Sequence, residues 1–378
     1  MRSLLAYCER ELPWLIETIG ALVSHESPSG DAEAINRCGD EFSRRLGALG
    51  GGVTRLPGGP AGDHVRAEFG AGARQVLLLG HMDTVWPVGT IAGRPFQAVD
   101  GRLQGPGVVD MKAGLALAAL AVKALAKDPR GLPGRVVLLA TSDEETGSAA
   151  SRAIIEAEAR ASRAVLVLEP ALPGGALKTS RKGCGEFVLR VSGRAAHAGI
   201  EPERGASAIS ELVRQVLRIE ALQDAAAGTT INVGVIRGGS RPNVVAAAAE
   251  AVVDVRVASA REAARIIGAL QALSPADPRT RIAVTGGIDR PPMERSAKGA
   301  ELFGLAQAVA AELGRTLGEG GTGGGSDGNL TAALGVPTLD GLGAVGGGAH
   351  ADDEHVTVAE LPWRAALLAG LLRRILAV

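Results

Sequence analysis

Short apolar runs recur through the first half of the chain, and each gives way abruptly to polar residues. Residues 76–79 lead into Gly80 and His81, residues 136–140 into Thr141, and residues 165–168 into Glu169. Runs of this length, rich in Val and Leu and without polar alternation, predict strands buried on both faces. Between them, apolar residues at helical spacing predict helices over 113–127, stopped by Asp128-Pro129, and over 151–161. Strands and helices in alternation predict an α/β fold, a mainly parallel sheet flanked by helices. In such sheets ligands bind outside the carboxyl ends of the strands, which is where these runs place their polar residues.

The pattern changes after Pro170. Residues 187–192 alternate as a half-exposed strand does, and a helix is predicted over 206–222. Strands follow at 231–236 and 251–257, a helix at 261–273 and a strand at 282–285. This β-α-β-β-α-β order predicts a small α+β sandwich with an antiparallel sheet, inserted over residues 181–289. The surrounding domain is then discontinuous, residues 1–180 and 290–378. Its second part carries a helix over 296–313, a glycine-rich loop at 318–325, a strand at 336–339 and a helix over 358–376. Residues 1–12 read as an amphipathic helix.

The strand ends carry chemistry. His81-Met82-Asp83, Asp110, Asp143-Glu144-Glu145, Glu169 and His350 bring imidazoles and carboxylates to separate loops. Two imidazoles with several carboxylates are what a pair of divalent cations needs, and mixed nitrogen and oxygen donors suit zinc. Each residue also has a plainer reading. Asp83 either accepts the second ring N–H of His81 or caps a turn. Asp110 either bridges two metals or caps the helix starting at Ala113. The acids at 143–145 repel one another and raise each other's pKa unless a cation compensates, or they form a solvated loop. Glu169, at the end of a buried run, is costly unless paired or ligated. His355 competes with His350.

Bulk composition narrows the classes. Of 378 residues, 46% are hydrophobic and 21% charged, enough for a large core and for two domains. A net charge of −1 and an aromatic content of 2% leave no electrostatic or stacking footprint for nucleic acid. No run reaches the length of a membrane span. The three cysteines, Cys8, Cys38 and Cys184, are widely spaced, which fits a reducing compartment and the expectation of a cytoplasmic protein. The run at 320–325 lacks the Lys-Ser/Thr ending of a nucleotide loop.

Six ordered motifs unite these features. They are His-Met-Asp-Thr-Val (81–85), Gly-x-Gly-x-x-Asp-Met-Lys-Ala-Gly (105–114), Ser-Asp-Glu-Glu-Thr-Gly-Ser (142–148), Leu-Glu-Pro (168–170), Gly-Arg-Ala-Ala-His-Ala-Gly (193–199) and Gly-Gly-Gly-Ser-Asp-Gly-Asn (323–329). With them the chain resembles the dizinc exopeptidases and deacylases: glutamate carboxypeptidase, acetylornithine deacetylase, succinyl-diaminopimelate desuccinylase and aminoacylase. The resemblance runs over essentially the whole chain and leans toward glutamate carboxypeptidase.

The resemblance implies a role for each residue. Asp110 would bridge two Zn2+ ions, with His81 and Glu169 completing one and Glu145 and His350 the other; Co2+ or Mn2+ would be possible substitutes. The peptide bond after Asp110 is expected to be cis. Glu144 would be the general base and Asp83 would orient His81. His197 would donate a hydrogen bond to the tetrahedral intermediate, from the partner subunit in dimeric members, with Asn243 of the Arg-Pro-Asn-Val stretch (241–244) beside it. Arg290 would meet a substrate carboxylate, assisted by Ser326, with Arg256 and Arg181 in reserve. The expected protein is a homodimer joined through its inserted lid domain, with neither nucleic acid nor membrane as partner. It would hydrolyse an amide beside a free carboxylate, releasing a C-terminal glutamate-like amino acid from a small or peptide-like substrate. An N-acyl-amino-acid deacylase of the acetylornithine or aminoacylase type and a metal-free binding protein are the alternatives.

Overall fold

The computed structural model describes residues 1–128 and 131–377. Two compact units make up the chain. One comprises Met1–Ser180, Arg295–Gly321 and Ser326–Val378, the other Arg181–Glu294 and Thr322–Gly325.

Among the described residues the first unit carries a six-stranded sheet. Its order is Gly52–Leu56, His64–Phe69, Arg135–Thr141, Gln75–His81, Ala164–Val167, Thr338–Leu339. The last four strands are mutually parallel; His64–Phe69 joins them antiparallel, and Gly52–Leu56 pairs antiparallel with His64–Phe69. The apolar runs form the sheet's centre, for the reason expected: both faces are covered. Strand pleat sends alternate side chains to opposite faces. Val76 and Leu78 enter one core with the helices Ala113–Lys127 and Leu361–Ala377. Leu77 and Leu79 enter another with Ile155 and Leu330, from the helices Arg152–Arg160 and Asp327–Ala333. Asp128 caps the helix Ala113–Lys127; Pro129, its expected stop, lies outside the described residues.

The structure adds elements that apolar runs do not signal. In His64–Phe69 the apolar Val65, Ala67 and Phe69 alternate with His64, Arg66 and Glu68, so this strand lacks a continuous run. The glycine-rich stretch 318–325, expected as a loop, contains the strand Glu319–Thr322, which pairs with Leu177–Arg181. Short strands Gln97–Val99, Arg102–Gln104, Gly346–Gly347 and His355–Thr357 build a further antiparallel sheet. The last helix begins at Leu361, after a 3-10 turn over Val358–Glu360.

Arg364, fully buried on that helix, donates to the carbonyls of Gly343 at 2.8 Å, Gly175 at 3.0 Å and Gly341. Burial pushes its pKa down to about 10, so it stays charged at neutral pH. The guanidinium fixes the Gly341–Gly343 stretch, whose Gly343 N–H donates to the Glu169 carbonyl at 2.9 Å.

The second unit is an antiparallel sheet ordered Thr230–Gly238, Ala248–Val257, Gly183–Ser192, Arg281–Arg290. Helices Ala208–Glu220 and Ala260–Gln271 cover one face and share its core through Leu212, Ile219, Ile266 and Leu270. Among the described residues no helix is long and apolar enough to cross a membrane.

Helix Leu12–Ser24 is tied to helix Ala32–Ala48 by a charge network. Arg45 donates to Glu17 at 2.7 Å and to Glu41 at 2.6 Å, and Arg44 donates to Glu41 at 2.8 Å. The Arg44 guanidinium, then Arg45, hold the Glu41 carboxyl down at about 2. A depressed carboxyl pKa contributes stability above its ordinary value, and that contribution disappears as pH falls through the folded value. Glu41→Gln is therefore expected to unfold at lower denaturant concentration than wild type at pH 7. The gap should narrow below about pH 4.5 and close near pH 2, as read by chemical denaturation across that range.

Candidate metal centre

Three parallel strands end at one edge of the sheet and deliver the acids and one imidazole. His81 closes Gln75–His81, Asp143-Glu144-Glu145 follows Arg135–Thr141, and Glu169 follows Ala164–Val167. Asp110 arrives on the loop before the helix Ala113–Lys127, and the peptide bond after it is cis. Two close approaches require glycine in that loop region. A Cβ on Gly107, whose φ is +72°, would stand 2.5 Å from the Thr84 side chain. A Cβ on Gly114 would stand 2.1 Å from the Leu168 carbonyl oxygen, so only glycine lets the helix start abut the strand end that carries Glu169.

His350 comes from the other end of the chain. The strands Gly346–Gly347 and His355–Thr357 pair with each other, and the latter pairs with Arg102–Gln104, just before the Asp110 loop. The loop between them holds His350 at φ +62°, a conformation that disfavours side chains with a Cβ.

These residues converge. Asp110 stands between two imidazoles: its Oδ1 lies 3.2 Å from His81 Nε2 and its Oδ2 lies 3.4 Å from His350 Nε2. Glu169 Oε1 lies 3.5 Å from His81 Nε2, and Glu145 Oε1 lies 3.1 Å from His350 Nε2. Among the described residues two donor triads result, His81–Asp110–Glu169 and Asp110–Glu145–His350, each within 4.8 Å and sharing Asp110. His355 belongs to neither triad; its Nδ1 donates to the Asp353 carbonyl.

Hydrogen bonding supports a metal at the first triad. His81 Nδ1 donates to the Asp83 carbonyl at 2.9 Å, so in the neutral ring Nε2 carries the lone pair. That nitrogen and Asp110 Oδ1 face each other, buried, and among the described residues neither makes a hydrogen bond. With the ring neutral these are two buried acceptors face to face, which a cation between them satisfies, as a proton does in its absence. The donor set therefore fits divalent metal ions.

Without an ion the cluster compensates its charge with protons. Burial pushes the Glu145 carboxyl up to about 7, and Asp110, foremost, holds the His350 imidazole up to about 9. Burial opposes the charged form of His81, yet Asp110, Asp83 and Glu169 together raise its pKa well above the usual range. A metal entering this site displaces the protons that Glu145 and the two imidazoles otherwise hold.

Asp83 corrects one expectation. Its backbone carbonyl, rather than its carboxylate, accepts the His81 ring N–H, and the carboxylate stands 3.5 Å from that nitrogen. The carboxylate instead accepts the backbone N–H groups of Glu144 and Glu145 at 3.2 Å each and the Ser29 hydroxyl at 2.8 Å. It sets the turn that presents the two glutamates. Asp143 has a similar structural duty, accepting from Ala150 N–H at 2.7 Å.

Ser326 corrects another. It is fully buried as the N-cap of the helix Asp327–Ala333; its hydroxyl donates to Asp340 at 2.7 Å and accepts from Gly328 N–H at 3.0 Å, while its own N–H donates to Asn329. With both groups committed to the cap, Ser326 has no free donor for a substrate.

The remaining expected residues lie in the second unit. His197 is exposed and pairs in a β-bridge with Val244, and Ala198 N–H donates to the Asn243 carbonyl at 3.0 Å, so His197 and Asn243 are neighbours. Arg256 and Arg290 both stand opposite Cys184, in register on the strands to either side of it. Arg256 forms a bidentate pair with Asp254, 2.9 Å at each bond. Arg290 is buried. Arg181 donates to the carbonyls of Gly324 and Gly325, both at 3.0 Å.

A profile of the peptidase family M20/M25/M40 matches residues 77–374. The chain belongs to this family. It is 34% identical over 374 residues to carboxypeptidase G2 of Pseudomonas sp. (strain RS-16), spanning 96% of this chain and 89% of that one. It is 30% identical to succinyl-diaminopimelate desuccinylase of Caulobacter sp. (strain K31), spanning 89% and 90% of the two chains. Its fold is that of aminopeptidase PepT from Bacillus cereus ATCC 10987, with a TM-score of 0.80 at 23% identity over 96% of this chain and 98% of that one. The family expected from the motifs is thus the family found, and the protein is a metallopeptidase by membership.

The Gly114 contact yields a prediction for the peptidase. Gly114→Ala must separate the helix start from the strand end at Leu168. Its thermal midpoint is expected to fall by an amount equivalent to about 1–3 kcal/mol, and zinc titration should show weakened uptake. A variant with wild-type melting and wild-type uptake would show that this approach does not position the centre.

Proposed function

We propose that this protein is a two-zinc carboxypeptidase that hydrolyses an amide beside a free carboxylate and releases a C-terminal glutamate-like amino acid. The observation that carries the reading is Asp110, with one carboxylate oxygen facing His81 and the other facing His350. A carboxylate so placed can bridge two ions, His81 and Glu169 completing one and Glu145 and His350 the other. When bound, a zinc pair lowers the pKa of a shared water and polarises the scissile carbonyl. Cobalt or manganese could substitute.

The chain's own groups supply the rest. Glu144, in the turn Asp83 holds, is assigned to take the water proton and pass it to the leaving nitrogen. Its neighbour Glu145 faces His350, so the two adjacent acids divide ligation from proton transfer. His197 is assigned as donor to the oxyanion that develops on the carbonyl, with Asn243 beside it; this rests on its motif and on the pairing of the two segments. Arg290 is assigned to grip the substrate carboxylate, with Arg256 in the same register across the sheet as second choice.

A homodimer joined through the second unit is part of the proposal. Its support is an exposed apolar stripe, Ile209, Val213 and Leu217, at helical spacing on Ala208–Glu220, beside Val235 and Ile236 on the edge strand Thr230–Gly238. Unpaired edges and apolar stripes are what a second copy covers. A cytoplasmic location is supported by the three cysteines, none of which forms a disulfide among the described residues, with Cys8 and Cys38 buried.

Glutamate specificity is favoured by the 34% identity to carboxypeptidase G2; the 30% identity to a desuccinylase keeps an N-acyl-amino-acid deacylase as the second reading. Assays of the zinc form on N-acyl glutamates and glutamyl dipeptides separate the two. Turnover of acetylornithine with none of any glutamyl amide would reject the carboxypeptidase. Metal analysis addresses the metal-free alternative: two zinc ions per chain are expected.

Glu144→Ala should retain both metals and lose turnover by about 10³-fold; near-normal turnover would refute its role as base. His197→Ala should lower kcat more than it raises KM, with metal content unchanged, since its help is concentrated in the transition state. Loss of zinc from that variant would mean the histidine is a ligand instead.

A further inference from the structure

Glu354 lies four residues beyond His350 and is only 1% exposed, although its neighbours Asp352 and Asp353 are exposed. Its carboxylate is saturated. Oε1 accepts the backbone N–H groups of Val109 at 2.9 Å and Asp110 at 3.2 Å. Oε2 accepts the N–H of Gly107 at 2.9 Å and the Trp86 indole N–H at 2.8 Å. One buried side chain thus gathers the N–H groups of the loop that ends on Asp110, from a position in the segment that carries His350.

A second contact closes the arrangement. Arg94 stacks on the Trp86 ring at 4.2 Å and donates to the Ala351 carbonyl at 3.2 Å, with Asp352 at 3.5 Å. The segment 350–354 is therefore held on one side through Arg94 and on the other through Glu354, and both holds meet at Trp86. None of these groups belongs to either donor triad.

We propose that Glu354 is a positioning residue that fixes the Asp110 loop and the His350 loop relative to each other, and so governs the second metal, at Asp110–Glu145–His350, selectively. The first triad has independent supports: His81 ends a central strand and is oriented by the Asp83 carbonyl, and Glu169 follows another strand beside the Gly343 N–H. His350 has no such frame, being half exposed in a loop with a positive φ. This inference rests on the two-metal reading above.

The chemistry of the four bonds identifies the informative variant. Gln has nearly the shape of Glu, but its amide nitrogen donates and cannot accept. Whichever way the amide turns, two N–H donors face an N–H group. Glu354→Gln therefore keeps the packing and breaks the hold.

The test is titration of metal-stripped wild type, Glu354→Gln and Trp86→Phe with zinc by calorimetry, with cobalt absorption as a second readout and thermal melting of the metal-free proteins as a folding check. The wild type should take two ions. Glu354→Gln should bind the second at least tenfold more weakly, losing part of the cobalt spectrum, and weaken the first by a much smaller factor, since Asp110 is shared but His81 and Glu169 stay on their strand ends. Trp86→Phe, which removes one donor from Oε2 and leaves the carboxylate in place, should weaken the second ion by a smaller factor, and it carries the test if Glu354→Gln does not fold. Wild-type uptake of both ions by the folded variants, or equal weakening of both ions, would overturn the assignment while leaving the two-metal reading intact. A wild type that takes fewer than two ions would overturn that reading and this assignment together.

Discussion

Crowded negative charge is the constraint around which the first unit is organised. Asp110 stands within a few ångströms of Glu169 and His81 on one side and of Glu145 and His350 on the other, in a pocket where water screens poorly. Such a cluster persists only with compensating positive charge. In the metal-free protein the imidazoles supply it as bound protons, which is why both histidines are pushed upward, while burial makes the Glu145 carboxyl hold its proton late. Divalent ions would discharge the same obligation better, and the facing, unpaired atoms of His81 and Asp110 leave a position that suits one.

The scaffold divides the task of holding this cluster by rigidity. Central parallel strands carry His81, the acids at 143–145 and Glu169, so these donors inherit the precision of a sheet buried on both faces. Loops carry Asp110 and His350 and need added support. For Asp110 it comes from the Gly114 approach to Leu168 and from N–H groups gathered by Glu354. For His350 it comes from the small sheet that brings His355–Thr357 beside Arg102–Gln104, and from the Arg94–Trp86 stack. Buried polar side chains around the centre serve geometry rather than chemistry: Asp83 sets the glutamate turn, Ser326 caps a helix, and Arg364 secures the glycine loop beside Glu169.

What could be read in advance follows from where the signal lies. The strand at 76–79 and the helix at 113–127 were legible because burial on all sides leaves a continuous apolar imprint, here Val-Leu-Leu-Leu and an alanine-rich stretch. The strand His64–Phe69, second in the sheet, was not, because only alternate residues are apolar. Glu319–Thr322 was hidden by its glycines, which carry no strand preference. The candidate metal ligands announced themselves through ordered motifs. Glu354 did not: it sits in a run of three acids, and nothing local separates the buried one from its exposed neighbours. Ser29 and Trp86 were missed for the same reason, since their partners lie far away in sequence.

Sequence alone determined the layered α/β plan, the inserted α+β sandwich, the family and the residue types brought to the strand ends. Each of these is written in local periodicity or in contiguous motifs, which survive without knowledge of the third dimension. Tertiary structure decided which oxygen of Asp110 faces which histidine, that the Asp83 carbonyl rather than its carboxylate orients His81, and that Glu354 and Ser326 are committed inside the protein. These are matters of direction and burial between segments distant along the chain. A hydrogen bond depends on angle and on exclusion of water, and neither is encoded by the identity of a residue or its immediate neighbours.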